Sequence, residues 1–128
     1  VEILESSGVD YALLECTNLY PSPPEIVSLR GVSDLRAAFP NAVVGFSDHS
    51  IGPEMALASV ALGACILERH FTDSRYRIGP DIACSMDPAE LRLLIDRSRP
   101  AQQKTTHRSR RRRLQVCPCQ SCCRSGSG

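Results

Sequence analysis

The chain has 128 residues, enough for one small domain with a modest core. It has no apolar run of the ~18 residues that a membrane span needs and no charged-then-apolar leader, so we expect a cytoplasmic protein with no membrane partner. Residues 1–99 hold all 14 acidic residues against eight arginines, whereas residues 100–128 hold seven basic residues and no acidic one. We therefore divide the chain into a domain over residues 1–99 and a basic, Cys-rich tail over residues 100–128, which we expect to be disordered.

Helices and short apolar strands alternate along residues 1–99. Ser22 with Glu25, and Asp87 with Glu90, have the spacing of a capping box at the start of a helix. The alternation predicts an α/β fold with a parallel sheet, and it fits either a (β/α)₈ barrel or an open doubly wound sheet. The predicted elements are a helix ending at Gly8, strands at 11–16, 42–46 and 64–67, and helices at 33–39, 54–62 and 87–98, the last ending before Pro100.

Two polar side chains lie at the end of each predicted strand, at positions i and i+2. They are Asn18 and Tyr20 after the first strand, Ser47 and His49 after the second, and Glu68 and His70 after the third. Because side chains alternate between the two faces of a strand, the members of each pair point in one direction. Parallel α/β proteins place functional groups at the carboxyl ends of their strands, so this pattern predicts the rim of an active site.

His49 and His70 have the most specific chemistry of these residues. On neighbouring strands about 5 Å apart, their imidazoles could converge on one divalent transition metal and leave positions for substrate. General acid–base catalysis and structural hydrogen bonding are the alternatives at this point. Glu68 would support a metal ligand or bind substrate hydroxyls. Asp48 lies on the opposite face, and we expect it to bond nearby backbone.

Five motifs occur in order over residues 1 to about 98. They are residues 16–21, 45–49, 61–64, 67–72 and 79–81, which read CTNLYP, GFSDH, ALGA, LERHFT and GPD. Together they resemble the sialic acid (N-acetylneuraminate) synthase family. The resemblance implies the last three βα units of a (β/α)₈, or TIM, barrel. It also implies a homodimeric transferase that condenses phosphoenolpyruvate with N-acetylmannosamine or its 6-phosphate, giving N-acetylneuraminate and phosphate.

The resemblance, carried over position by position, implies a role for the residues of the rim. His49 and His70 match the ligands of a divalent metal, typically manganese, with magnesium or cobalt as alternatives. Asn18 and Ser47 match residues that hold phosphoenolpyruvate by its phosphate and its carboxylate. The implied cofactor is therefore a metal ion bound beside an anionic substrate.

The acceptor sugar is implied to contact a second set of residues. Tyr20, Glu68 and Asp81 match positions that face this sugar, and Tyr20 and Glu68 are our candidates for catalysis. Glu15 departs from the family, in which many members have His, and we expect it to face away from the rim. The family's phosphate-binding lysines, its catalytic glutamates and its small C-terminal domain lie outside this sequence. We therefore expect the chain to be inactive on its own.

Cysteine usage separates the tail from the domain. Cys16, Cys65 and Cys84 are scattered among apolar neighbours, as reduced core thiols would be, whereas four cysteines crowd residues 117–123. Arginines at 108 and 110–113 could bind nucleic acid, and the cysteines could bind zinc. The alternative function is thus a non-enzymatic remnant or a small binding protein that acts through its tail. We favour a third interpretation, an out-of-frame translation of GC-rich DNA, and so expect no nucleic-acid partner.

Overall fold

The structure is a computed structural model that describes residues 1–105, so the predictions for the tail beyond residue 105 lie outside it. Helices and strands alternate along the described chain, as the sequence predicts. They are α1 (Glu2–Ser6), β1 (Ala12–Cys16), α2 (Arg30–Ala38), β2 (Val43–Asp48), α3 (Glu54–Ala61), β3 (Ile66–Arg69) and α4 (Pro88–Thr105), with 3-10 turns at Pro24–Ile26 and Ile82–Cys84.

The three strands form one parallel sheet in the order β1-β2-β3. In the register, Cys16 lies opposite Ser47, and Ser47 lies opposite Glu68. All three strands therefore end at the same edge of the sheet. The predicted α/β class with a parallel sheet is confirmed.

The hydrophobic core lies on the face of the sheet that the helices cover, here called the helix face. A first cluster joins Val32 of α2 with Val44 and Phe46 of β2 and with Ala64. A second cluster, with Ala56, Met86 and Leu94 as its buried members, packs α3 against α4. Because side chains alternate along a strand, burial of Val44 and Phe46 on the helix face turns Gly45 and Ser47 to the opposite face, here called the open face.

Several element boundaries differ from the prediction. The strands β2 and β3 run two residues further, to Asp48 and Arg69, because parallel pairing continues after the apolar runs end. Helix α2 starts at Arg30 rather than at residue 33, with Gly31 in its first turn. A Cβ at Gly31 would lie 2.4 Å from the Glu15 carboxylate, so a glycine permits this close approach.

The prediction that helix α4 ends before Pro100 is wrong, because the helix continues to Thr105. A proline inside a helix removes one backbone bond and crowds the carbonyl four residues earlier, here that of Asp96. Both Asp96 and Pro100 are exposed, so the freed carbonyl can face water. The helix therefore tolerates the proline on its solvent side.

The two predicted capping boxes have different outcomes. At α4 the prediction is confirmed, because the Glu90 N–H donates to Asp87 Oδ1 at 2.8 Å and the Asp87 N–H donates to Glu90 Oε2 at 3.1 Å. The prediction for Ser22 is wrong. Its hydroxyl donates to the carbonyl oxygens of Leu19 and Thr17, at 2.6 and 3.2 Å, and a single 3-10 turn follows.

The cysteines of the described residues are all free thiols. Cys84 is buried, as predicted, and burial raises the pKa of its thiol. Cys16 and Cys65 are exposed, so the prediction that they are core thiols is wrong. Both lie at or beside ends of strands, where the helices do not cover them.

In the part of the chain that the structure describes, no helix combines the length and the apolar character needed to cross a membrane.

Candidate active site

The carboxyl edge of the sheet brings most of the predicted rim residues together. Ser47 of β2 donates a hydrogen bond of 2.8 Å from its hydroxyl to Glu68 Oε1 of β3. The two residues are direct partners in the parallel register and project from the open face. Ser47 is buried and Glu68 is exposed, so the carboxylate covers the hydroxyl. The pair forms one wall of the candidate site.

Three rings converge beside this pair. Tyr20, from the loop after β1, stacks at a tilt on His49, with 4.0 Å between ring centroids. His49 and His70 are 5.2 Å apart, and Tyr20 and His70 are 5.6 Å apart, both in edge-to-face orientations. His49 is buried to 6% exposure, whereas Tyr20 retains 42%. The predicted convergence of the two imidazoles is therefore present, and a phenol is added to it.

Each histidine turns its Nδ1 atom toward an oxygen. His49 Nδ1 lies 3.3 Å from the Thr17 carbonyl oxygen, and His70 Nδ1 lies 3.9 Å from Asp81 Oδ2. An Nδ1–H group that donates to a carbonyl or carboxylate leaves Nε2 as the unprotonated, ligating atom. The contact of His49 has this orientation, which is typical of metal-binding histidines, whereas the 3.9 Å separation at His70 is too long for a hydrogen bond.

The donor set fits an open metal site better than a closed one. No cluster of three or more His, Cys, Asp or Glu side chains able to hold a metal occurs within residues 1–102. Two imidazoles could supply two ligands, and an open site fills its remaining positions with substrate or water oxygens. A structural zinc site needs four protein ligands, and the described residues bring only these two imidazoles together.

Asp81 reaches His70 through an uncommon backbone conformation. Its φ of 64° is in the left-handed region, where aspartate is more frequent than most residues. The Asp81 carbonyl oxygen accepts bonds from the Ser85 hydroxyl at 2.8 Å and the Cys84 N–H at 3.2 Å. These bonds hold the start of the 3-10 turn and thereby place the Asp81 carboxylate near the rings.

Tyr20 has a raised pKa. Partial desolvation contributes most, followed by the negative charges that Cys16, Asp81, Cys84 and Glu68 can carry. The phenol therefore stays protonated near neutral pH and can donate a hydrogen bond to an oxygen of a bound molecule.

Two predicted residues stand apart from the rings. Asn18 is exposed and makes no hydrogen bond to any described residue. Glu15 lies opposite Phe46 in the register and against Gly31 of α2, so it faces the helices. The expectation that Glu15 points away from the rim is confirmed.

Arg69 is the residue that our sequence reasoning missed. It forms a buried ion pair with Asp48, with 3.6 Å between Arg69 Nε and Asp48 Oδ2. Asp48 also accepts a bond of 2.9 Å from the Ser50 N–H, as expected for a residue that bonds nearby backbone. Opposite charges at matching positions in Ser47-Asp48-His49 and Glu68-Arg69-His70 were a usable signal for a cross-strand pair.

Comparison with known proteins identifies the family. The NeuB family matches residues 1–110 of the chain, and the chain therefore belongs to this family. The match runs past residue 98, where the motif resemblance stops. It confirms the resemblance to sialic acid synthases that the motifs indicate.

Named relatives are synthases of sialic acid and related sugar acids. The N-acetylneuraminate-9-phosphate synthase of Drosophila melanogaster is 46% identical over 90 residues, which cover 70% of this chain and 24% of that protein. The synthase of the same name from Homo sapiens is 33% identical over 127 residues, which cover 99% of this chain and 34% of that protein. The chain thus spans a quarter to a third of the length of these relatives.

A solved structure shares the fold. The N-acetylneuraminic acid (sialic acid) synthetase of Leptospira borgpetersenii, in complex with citrate, superposes with a TM-score of 0.79 at 29% identity. The superposition covers 88% of this chain and 39% of that one. The described fold is therefore similar to that of a segment of this synthetase.

Proposed function

We propose that the chain carries part of the active site of a sialic acid synthase-type transferase. The reaction condenses phosphoenolpyruvate and water with N-acetylmannosamine, or its 6-phosphate, to give N-acetylneuraminate, or its phosphate ester, and inorganic phosphate. The observation that carries the proposal is the convergence of Tyr20, His49 and His70 at the carboxyl edge of the sheet. Family membership supports the reaction class.

We propose further that the three strands belong to a (β/α)₈ barrel. Between β3 and α4 lies a cleft of about 440 Å³, with Leu67, Arg69, Phe71, Leu91 and Leu94 among the residues of its walls. Phe71 is half exposed there although it is a large apolar residue. A further βα unit packed beside β3 would bury this surface and continue the parallel sheet.

In this proposal the open face binds both substrates. His49 and His70 would hold a divalent metal, manganese in the first instance, which when bound polarises the acceptor aldehyde. Asn18 would donate a hydrogen bond to an oxygen of phosphoenolpyruvate, and Ser47 would do so once its hydroxyl proton turns from Glu68 to the substrate. Glu68 orients the Ser47 hydroxyl through their 2.8 Å bond and is exposed enough to accept a bond from a sugar hydroxyl.

The phenol and the second carboxylate would orient the acceptor sugar. Tyr20, protonated because of its raised pKa, would donate to a sugar oxygen. Asp81 would accept a hydrogen bond from a sugar hydroxyl, at a position where its Oδ2 atom lies 3.9 Å from His70 Nδ1. Tyr20 and Asp81 both lie beside the two imidazoles, so the sugar would lie between them.

The test is a transplant into a complete enzyme. Residues 1–99 would replace the aligned segment of the human N-acetylneuraminate-9-phosphate synthase, and phosphate release from phosphoenolpyruvate would be measured with manganese. We expect release that requires an N-acetylated hexosamine, and none from the 128-residue chain alone. His49→Ala and His70→Ala in the transplant should each lower the rate at least 100-fold, on the order expected for loss of a metal ligand.

The matched control is Ile78→Ala, at a fully exposed position of the loop between His70 and Asp81. This variant should retain the rate of the transplant. A folded transplant that releases no phosphate with any N-acetylated hexosamine would contradict the proposal. Release by the chain alone would contradict its inactivity.

A further inference from the structure

We propose that the buried Asp48–Arg69 ion pair is a positioning device for His49 and His70, an inference that rests on the proposed function of these imidazoles. Asp48 and Arg69 are direct partners in the parallel register of β2 and β3. Each immediately precedes one of the histidines. A contact between them therefore fixes the relative displacement of the two strands at the last position before the rings.

Arg69 holds more than its carboxylate partner. Its guanidinium donates hydrogen bonds to the carbonyl oxygens of Ser50 and Gly52, in the loop that follows β2. Asp48 binds the same loop, through its 2.9 Å bond from the Ser50 N–H. The segment that contains His49 is thus fastened on both sides of the histidine by one side chain from the neighbouring strand.

The backbone of His49 is fixed from the other side as well. Its carbonyl oxygen accepts a bond of 2.9 Å from the Ser22 N–H, in the loop after β1. With both flanks and its carbonyl held, the imidazole of His49 keeps Nδ1 toward Thr17. The Nε2 atom, which would ligate the metal, is then directed away from Thr17.

Stability alone does not account for this ion pair. The side chains of Arg69 and Asp48 are only 3% and 1% exposed. Even so, Arg69 Nε, Asp48 Oδ2 and Ser50 Oγ are buried without a hydrogen-bond partner among the described residues. Burying charges that are incompletely bonded is costly, and well-packed apolar side chains of similar volume are often equally or more stabilising. Fixing a geometry is the remaining benefit of such a pair.

The two faces of the sheet carry adjacent cross-strand contacts. Ser47 and Glu68 bond on the open face, and Asp48 and Arg69 pair one position later on the helix face. The ends of β2 and β3 are therefore joined on both sides. A slip between the strands would break both contacts and would move the two histidines apart.

The experiment compares fold, histidine tautomer and cobalt binding in the 128-residue chain. The main variant is Asp48→Leu/Arg69→Met, which replaces the pair by apolar side chains of similar volume. The matched control is Asp73→Leu/Arg77→Met, which removes an ion pair whose side chains are more than half exposed. Long-range ¹H–¹⁵N NMR at a pH of about 8 reports the tautomers of neutral histidines, with His49→Ala to assign the resonances.

We expect wild-type His49 to be the Nδ1–H tautomer, and Asp48→Leu/Arg69→Met to show a mixture of tautomers. Affinity for Co²⁺, followed by its visible spectrum, should fall at least tenfold, as on loss of groups that orient metal ligands. The circular dichroism spectrum should be retained. Arg69→Lys should give an intermediate loss, because one ammonium group does not reproduce the planar fork of a guanidinium. The control should match the wild type in all three measurements.

The proposal is overturned if Asp48→Leu/Arg69→Met keeps both the tautomer and the Co²⁺ affinity. It is also overturned if this variant and Arg69→Lys both unfold, because the pair is then a stability element. Absence of Co²⁺ binding by the wild type, together with a tautomer change in the variant, would refute the proposed function and leave the positioning role in place.

Discussion

Tyr20 connects the loop after β1 with both candidate metal ligands. Its ring covers His49 at 4.0 Å and approaches His70 at 5.6 Å, while 42% of the residue remains exposed. An aromatic residue in this position combines an apolar face for packing with a hydroxyl that reaches solvent. It can therefore shield the imidazoles and contact a bound molecule with the same side chain.

The raised pKa of Tyr20 leads to a titration prediction. Tyrosinate absorbance of the wild type minus that of Tyr20→Phe should titrate with a midpoint above the ordinary value of about 10. Because the pKa is raised on folding, the neutral phenol stabilises the fold below the unfolded pKa, and this contribution is lost as pH rises through the folded value. A difference midpoint at or below that of free tyrosine would contradict the described surroundings of the ring.

Residue positions were predictable where a local rule determines them. Alternation along a strand put Ser47 and His49 on one face and Asp48 on the other, and the structure agrees. The Ser47–Glu68 bond and the Asp48–Arg69 pair depend on the register between β2 and β3, for which the opposite charges of Asp48 and Arg69 at matching positions were the available signal. The contacts of Asn18 could not be predicted either, because the position of a residue in a loop does not determine which groups its side chain meets.

Gly45 shows how closely the strands approach at the element scale. A Cβ on this residue of the central strand would lie 2.8 Å from both the Cβ and the carbonyl oxygen of Ile66, and 3.1 Å from Leu14 Cγ. Gly45→Ala should therefore lower the free energy of unfolding by about 1–3 kcal/mol, the usual range for overpacking. Urea denaturation would measure the loss.

The control for this prediction is Gly79→Ala. A Cβ there would meet only Ile82 Cγ1, at 3.9 Å, and the φ of Gly79 is not in the left-handed region. Its free energy of unfolding should stay within about 0.5 kcal/mol of the wild type. Equal losses in the two variants would show that the close contact between β2 and β3 does not explain the effect.

The capping box of α4 leads to a pH prediction. The bond from the Glu90 N–H lowers the pKa of Asp87, with smaller lowering from the Ala89 N–H and Arg75 against partial desolvation. Its charged form therefore stabilises the fold above the unfolded pKa of about 3.9, and this contribution is lost as pH falls through the lower, folded pKa. Thermal midpoints of the wild type should drop in this acid range.

Asp87→Asn provides the comparison. Asparagine can still accept the capping bond but carries no charge, so the acid-range drop in the thermal midpoint should be smaller than in the wild type. Asp87→Ala removes the cap as well and should lower the midpoint throughout the pH range. Parallel profiles for the wild type and Asp87→Asn would show that the Asp87 carboxylate does not determine the drop.

Element types were easier to predict than element ends. The Asp87 box was recognised because both partners lie within one turn and bond each other's backbone. At Ser22 the same spacing failed because the hydroxyl bonds carbonyls that precede it, and two prolines follow. The prediction ended the last helix before Pro100, yet the exposed position of this proline allows α4 to continue. Competing hydrogen bonds and solvent exposure depend on the folded structure, so the sequence pattern alone did not predict these helix ends.

At the scale of the whole molecule, the sequence pattern predicts the fold class, and the structure adds the order of the strands in the sheet. Alternating helices and apolar strands predicted a parallel α/β fold, which the β1-β2-β3 sheet confirms. Three strands are compatible with more than one parallel architecture, because closure of a barrel depends on strands beyond the three described. The family motifs favoured the barrel, and the apolar cleft beside β3 supports that proposal.

The central place of β2 has a consequence for the lifetime of the candidate site. Among residues 1–105, β2 is bonded on both sides, whereas β1 and β3 are each bonded on one, and β3 has only four residues. Local opening begins where backbone bonds are fewest, so amide hydrogens of β3 would exchange with solvent before those of β2. Glu68 and His70 would then leave while Ser47 and His49 stay in place. The two halves of the site thus have separate lifetimes, and the shorter one belongs to the edge strand.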